Sequence, residues 1–307
     1  MAGPDIRDYT RESFEVMAGI PESVKVIDRQ VSKIDGTIKL LFRFQDGETA
    51  ESVVLFNKKR ASACISSQSG CACGCGFCAT GGLGFKRDLT PAEITGQFAA
   101  CLRSAGGALN NVVFMGMGEP FLNWENVKKS ILMLSDNKGY NFPQTKITVS
   151  TVGIVPVIRE LAQSDLKIKL AISIITADEK QRAELVPMDA KYPLREIIAS
   201  ARYYCARKAK PVFFEYILFR GLNDSPWDAV KLLDLVKGIE CKINLILYNK
   251  SEGKVFGGCG PGEAKEFQKI IMAQGVRTYL RKEKGSDIGA ACGQLAGIAA
   301  MAASHRL

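Results

Sequence analysis

Apolar and polar positions fall into two regimes along this chain. From Ser23 to Phe56 they alternate in short runs, SVKVIDRQV, TIKLLFRF and ESVVLF, with an Asp35-Gly36 turn between the first two. Alternation of period two on either side of a turn dipeptide predicts a β-hairpin and a small β extension. Beyond Thr90 the pattern changes. Short, nearly continuous apolar runs (NNVVFMG, TKITVST, LKIKLAIS, PVFFEYILF, CKINLILYN and VRTYLRK) are separated mostly by helical stretches. Thr90 and Pro91 read as the cap and first position of a helix that Gly106-Gly107 stops, and NWENVKKSILMLSD reads as an amphipathic helix. Buried strands alternating with helices predict a parallel α/β sheet. With ASACISS as the first strand, about six or seven units fit, which suits a partial or complete (β/α) barrel with its chemistry at the C-terminal strand ends. One further helix is expected around RESFEVMAG. The chain thus divides into an N-terminal helix and hairpin extension over 1–57 and an α/β domain over 58–307.

Composition narrows the class. The chain has 307 residues, 47% hydrophobic and 24% charged, ordinary for a protein with a sizeable core. No apolar run approaches a membrane span, and the charged N-terminus lacks the apolar core of a secretory signal, so a cytoplasmic protein with no membrane association is expected. In a reducing compartment, ten cysteines point to metal binding or chemistry rather than a disulfide framework. A single histidine, His305, leaves little room for histidine-based acid–base work or a His-rich zinc site. The net charge of +9 is compatible with a polyanionic partner and equally with a solvated basic surface. No segment suggests an interface, so a monomer is the default.

Four of the cysteines crowd into SQSGCACGCGFCATGG, as Cys71, Cys73, Cys75 and Cys78. Cys71-x3-Cys75-x2-Cys78 has the form of a loop whose three thiolates hold three irons of a [4Fe–4S] cluster, leaving the fourth iron for a small molecule. Cys73 is expected to point elsewhere. Zinc is the rival, but its structural sites are usually closed by two separated knuckles, and Cys259 stands alone. Cys101, Cys205 and Cys241 fall in apolar patterns and read as core.

The triad followed by ATGGLGFKRDLTPAEITGQ resembles the radical SAM superfamily, and more narrowly the RlmN/Cfr methyltransferases, which methylate an adenine of 23S ribosomal RNA. Four further stretches agree in order: CISSQSGC, FMGMGEPFLN, VSTVGIVP and GSDIGAACGQLAG. The resemblance covers about residues 33–297. It implies a partial (β/α) barrel of the radical SAM type, a [4Fe–4S] cluster on Cys71, Cys75 and Cys78, and S-adenosylmethionine (SAM) bound by Gly118, Glu119, Ser150, Ser173 and Asn249. It also implies that Cys292 is methylated by one SAM and that a radical from a second SAM takes hydrogen from that methyl group. The carbon radical then adds to the electron-poor adenine carbon, C2 foremost. Cys64 releases the adduct by forming a disulfide with Cys292, and Glu51 removes the ring proton. From sequence alone, Glu51 also fits a solvated residue on an exposed strand. An electron donor such as flavodoxin or ferredoxin and an RNA substrate, ribosomal or transfer RNA, are the implied partners.

Two departures accompany the resemblance. The family normally carries an N-terminal helical RNA-binding domain, where only about 20–30 residues precede the β extension here. Its Ser-Leu-His-Ala strand end reads SIIT, with Ile175 in place of the histidine. Two alternatives stay open: the same chemistry on a small molecule or protein, and a non-catalytic metal-bound RNA-binding module. Anaerobic reconstitution followed by iron and sulfide analysis separates the last from the enzyme. About four irons and four sulfides per chain are expected, and zinc without sulfide overturns the cluster.

Overall fold

The computed structural model describes residues 21, 23–249 and 255–297; the helix expected at 11–19, Lys250 and His305 lie outside them. Twelve strands occur among the described residues: β1 Val24–Val31, β2 Ile38–Phe44, β3 Thr49–Asn57, β4 Arg60–Ile65, β5 Gln68–Gly70, β6 Phe85–Asp88, β7 Asn111–Phe114, β8 Ile147–Thr151, β9 Lys169–Ile175, β10 Val212–Leu218, β11 Cys241–Leu247 and β12 Arg277–Arg281. Ten of them form one sheet in the order β1-β2-β3-β4-β7-β8-β9-β10-β11-β12. The pairs from β1 to β4 are antiparallel, and those from β4 to β12 are parallel. The sheet does not close on itself, so the architecture is a partial barrel whose first strands are the predicted extension. The boundary at 57/58 falls in the β3–β4 turn, and the sheet runs across it unbroken.

The helices follow from capping and periodicity. They are α1 Ala79–Gly82, α2 Pro91–Ser104, α3 Trp124–Ser135, α4 Val155–Gln163, α5 Glu179–Leu185, α6 Leu194–Lys208, α7 Pro226–Val236 and α8 Pro261–Ala273. Thr90 and Glu93 make a reciprocal capping box on α2 with Pro91 at the first helical position, as expected. Ser225 and Asp228 repeat the device on α7. Ile94 and Phe98 of α2, Val127, Ile131 and Leu134 of α3, and Ile158 and Leu161 of α4 recur at spacings of three or four and are buried. That stripe faces the sheet and makes one core with Phe114, Val149, Leu170 and Phe214. Strand-end loops on the other edge carry the cysteines and the glycine-rich turn, as a parallel sheet requires.

A buried amide fastens the extension to the barrel. Gln97 of α2 is fully buried, and its Oε1 accepts from Ser52 Oγ (2.7 Å) and from the Ser66 amide (3.0 Å). Its Nε2 donates to Ser66 O (3.2 Å). Replacing it with Leu leaves two buried donors unpaired, at about 1–3 kcal/mol each. Gln97→Leu is expected to lower unfolding stability by about 2 kcal/mol or more, read as a shifted denaturant midpoint with unchanged slope.

Candidate active site

One cavity of about 260 Å³ opens at the C-terminal strand ends. Cys71 leaves β5 directly, and its amide donates to Gly84 O (3.0 Å), while Gly76 N donates to Leu185 O (3.0 Å). These bonds fold residues 71–78 into a loop whose cysteines all face the cavity. Cys73 departs from expectation: it too lines the cavity and is buried, beside Cys71. Interaction between the two thiols lowers the Cys71 pKa and raises that of Cys73. Burial raises Cys75 and Cys78, and the charge of Cys71 raises both further. Three thiolates in this space repel one another unless cations lie among them, which suits a cluster held by Cys71, Cys75 and Cys78. Among the described residues no three His, Cys, Asp or Glu side chains converge on a single-ion position.

The glycine-rich turn after β7 is built by close approach. Gly118 has φ +93°, and a Cβ there would sit 2.7 Å from Gln68 N. The contact lets Glu119 N donate to Gln68 Oε1 (2.9 Å) and turns the Glu119 carboxylate inward. Its oxygens accept from Phe121 N (2.9 Å) and Val152 N (2.8 Å). Burial pushes this carboxyl up to about 7, against those hydrogen bonds. Ser150 Oγ and Ser173 Oγ lie 3.4 Å apart on β8 and β9 and line the cavity beside Asn249.

Cys292 sits on a loop without regular structure, laced to the rest of the site. Asn249 Nδ2 donates to Cys292 O (3.2 Å), Ala79 N to Gly293 O (2.8 Å) and Thr80 Oγ1 to Leu295 O (2.7 Å). The residue is exposed, but onto the cavity it lines; the surrounding protein raises its thiol pKa, and Arg281 partly offsets that. Cys64, at the end of β4, lines the same cavity, with its thiol raised by burial and by the charge of Cys292. Glu51 is the exception: it is 1% exposed, which excludes the solvated strand position, and it does not line the cavity. Its Oε2 accepts from Ala296 N (2.8 Å) and Gly297 N (3.1 Å), and its Oε1 meets Lys39 Nζ at 3.1 Å.

Three site residues escaped sequence reasoning. Arg182 lies in EKQRAEL, which reads as a solvated charged face, yet it is buried against Asp189. Its Nε donates to Ile174 O (3.1 Å) and its Nη2 to Val152 O (2.6 Å), tying the ends of β8 and β9. Glu215 and Arg281 both line the cavity; a lone Glu inside the apolar run PVFFEYILF was the available signal for the first.

A parallel partial barrel presenting the Cys71, Cys75 and Cys78 thiols beside a buried glutamate at its strand ends defines a radical SAM enzyme. The sequence pattern of the Radical SAM superfamily matches residues 65–233. The chain is 44% identical over 274 residues to a probable dual-specificity RNA methyltransferase RlmN of Thermotoga neapolitana, covering 89% of this chain and 79% of that protein. It is 40% identical over 300 residues to dual-specificity RNA methyltransferase RlmN 2 of Myxococcus xanthus, covering 95% and 79%. A solved radical SAM methyltransferase from Sphaerobacter thermophilus superposes with a TM-score of 0.87 at 38% identity, over 93% of this chain and 88% of that one. The chain belongs to the RlmN family of the radical SAM superfamily. Its cofactors are accordingly a [4Fe–4S] cluster and SAM, and the zinc and non-catalytic alternatives are set aside.

The Glu51 contacts carry a direct expectation. In Glu51→Ala the amides of Ala296 and Gly297 lose their acceptor, and their hydrogen exchange is expected to accelerate about tenfold, as the loss of one charged hydrogen bond implies. Unchanged exchange means the loop is held by its other bonds.

Proposed function

We propose that this chain is an RNA methyltransferase that places a methyl group on an adenine ring carbon, C2 foremost, of 23S ribosomal RNA, with transfer RNA as a second substrate, by way of a methylated Cys292. The observation that carries the assignment is that Cys292 and Cys64 line one cavity with Cys71, Cys75, Cys78 and Glu119.

Cys71, Cys75 and Cys78 would hold the cluster, and Gly118, Glu119, Ser150, Ser173 and Asn249 would hold SAM. Together these groups supply one-electron chemistry and the methyl group to a ring carbon too electron-poor to attack SAM directly. The chain's own residues do the rest. Ionised Glu119 offers the acceptor a ligand ammonium needs. Cys292, open to the cavity, gives up its thiol proton, takes the methyl group and carries it to the base. Cys64 attacks the Cys292 sulfur of the adduct as a thiolate. The carbon–sulfur bond breaks, its electron pair passes to the product carbon, which takes up a proton to become the methyl group, and the two cysteines are left joined in a disulfide. Glu51 accepts the proton of the substituted carbon. That duty requires its carboxylate to leave the amides of Ala296 and Gly297, so lifting of the Cys292 loop and exposure of the base become one movement.

Within this assignment the unit over 1–57 contributes β1, β2 and β3, which extend the catalytic sheet and bring Glu51 against Ala296 and Gly297 of the unit over 58–307. The basic net charge suits RNA, and no helix among the described residues is long and apolar enough to cross a membrane. The enzyme acts as a cytoplasmic monomer supplied with electrons by a flavodoxin- or ferredoxin-like donor.

The test is mass spectrometry of the Cys292 peptide after anaerobic incubation of reconstituted protein with SAM. One added methyl group, absent in Cys292→Ala, is expected, with methylated adenine in RNA once a reductant is added. An unmodified Cys292 on protein that still binds the cluster and cleaves SAM overturns the assignment.

A further inference from the structure

The end of the barrel opposite the cavity carries charge that the proposed mechanism does not use. The segments leading into β4 and β7 to β12 are residues 58–60, 105–111, 136–146, 164–169, 208–212, 237–242 and 274–277. They hold twelve lysines and arginines against three carboxylates, a surplus equal to the chain's whole net charge of +9. Part of it braces turns: Lys208 Nζ donates to Leu166 O (3.1 Å) and Lys210 Nζ to Lys167 O (3.2 Å).

The rest points into the barrel. Side chains alternate along a strand, so positions two and four residues before the inward-facing ones share their face. Counting back from Cys64, Ser150, Ser173, Glu215, Asn244 and Arg281 reaches Arg60, Lys146, Lys169, Phe213, Lys242 and Arg277 at the lower mouth. Five of the six are cations, and all six are exposed or half-buried. Lys242 stands in register with Arg277 on the next strand, and its Nζ lies 5.3 Å from the centre of the Phe213 ring. Burial lowers the Lys169 pKa, and the charges of Lys146, Lys242 and Arg60 lower it further, so these groups are near enough to repel. Among the described residues the side chains of Arg60, Lys146, Lys169 and Arg277 make no hydrogen bond or ion pair. Like charges on neighbouring strands destabilise a sheet, and this end of a barrel ordinarily serves stability. Cations gathered here against that cost call for an anion.

Their spread says which kind. They are distributed over β4, β8, β9, β11 and β12, in a sheet whose neighbouring strands lie about 5 Å apart, too wide for one small ion. A polymer with a negative charge on every unit matches that spread. The ring among the cations adds a stacking platform, and single-stranded nucleic acid is bound by this combination of basic groove and aromatic face.

We propose that the lower mouth is a second RNA-binding surface, where Lys146, Lys169 and Lys242 hold phosphates of a single-stranded segment and Phe213 stacks one of its bases. This rests on the assignment of RNA as the substrate. The mouth lies a strand length from the cavity, about 20 Å, so the nucleotides it holds flank the target adenine.

The test is fluorescence anisotropy of a labelled single-stranded RNA of about 20 nucleotides, longer than one stacking site, titrated with reconstituted enzyme at several salt concentrations. The triple variant Lys146→Glu, Lys169→Glu, Lys242→Glu is expected to bind about 10–100-fold more weakly. Its slope of log affinity against log salt should be shallower by about 2, as the loss of three phosphate contacts implies. Phe213→Ala is expected to bind about 10-fold more weakly with an unchanged slope. SAM-dependent methylation of Cys292, which needs no RNA, should stay at the wild-type level in both. The corresponding Lys→Gln triple variant serves if the Glu variant does not fold. Unchanged affinity and slope in the triple variant overturn the proposal. So does a defect confined to reduction of the cluster by an acidic electron-donor protein, which would make the mouth a protein-docking site. Failure of wild type to bind RNA at all would instead sink the underlying assignment of an RNA substrate.

Discussion

The arrangement depends on how an irregular loop is held. Residues 292–297 include Cys292, the thiol we propose carries the methyl group, yet they have no helix or strand to satisfy their backbone. Their polar groups are met by side chains and amides of three separate regions: Glu51 and Thr49 of the hairpin, Ala79 and Thr80 beside the cysteine loop, and Asn249 after β11. Buried backbone groups demand such partners, and here the partners also set which face of Cys292 meets the cavity. Each bond is worth only about 1 kcal/mol net. The loop is thus ordered as a group, while a competing set of contacts can displace it. The role proposed for Cys292, which meets SAM, the base and Cys64 in turn, needs that balance.

Buried charge organises the opposite wall. Arg182 is enclosed with Asp189 and gives its remaining donors to the carbonyls of Val152 and Ile174. The Val152 amide in turn donates to Glu119. One guanidinium therefore positions the ends of two strands and, through Val152, the carboxylate assigned to SAM. Removing either partner of such a pair leaves an uncompensated charge inside the protein. The fork geometry of arginine, with donors in three directions, fits the task as lysine would not.

Ile175 shows backbone strain at the same edge. Its φ of +70° is unusual for a β-branched residue, and such conformations cost about 1–3 kcal/mol. The β9–β10 register slips at this point, and Asn223 Nδ2 holds the Ile175 carbonyl at 3.1 Å. The strained turn brings Ile175 to the cavity next to the cysteine loop, at the position where the family's usual histidine would stand. An apolar side chain in this place removes a hydrogen-bonding group and keeps the bend.

Much of the fold was legible because period and punctuation are local properties. The β-hairpin, the capped helix from Pro91, and the alternation of apolar strands with helices follow from neighbours within a few positions. The cysteine spacing and the glycine-rich turn were legible for the same reason, since a wrapping loop and a tight turn are each built from one short segment. What needed tertiary structure was every contact between distant segments. Whether Glu51 faces solvent, the cavity or Ala296 depends on residues 245 positions away, and the pairing that buries it leaves no trace in its own strand. The burial of Arg182 and Glu215 is likewise decided by what packs around each charge, which their own segments do not record. The chain by itself determined its hairpin, its capped helices, the alternation of strands with helices and the residue types available for chemistry. Only the packed sheet decided which of those side chains share a cavity, because convergence at the strand ends is set by register and closure across the whole barrel.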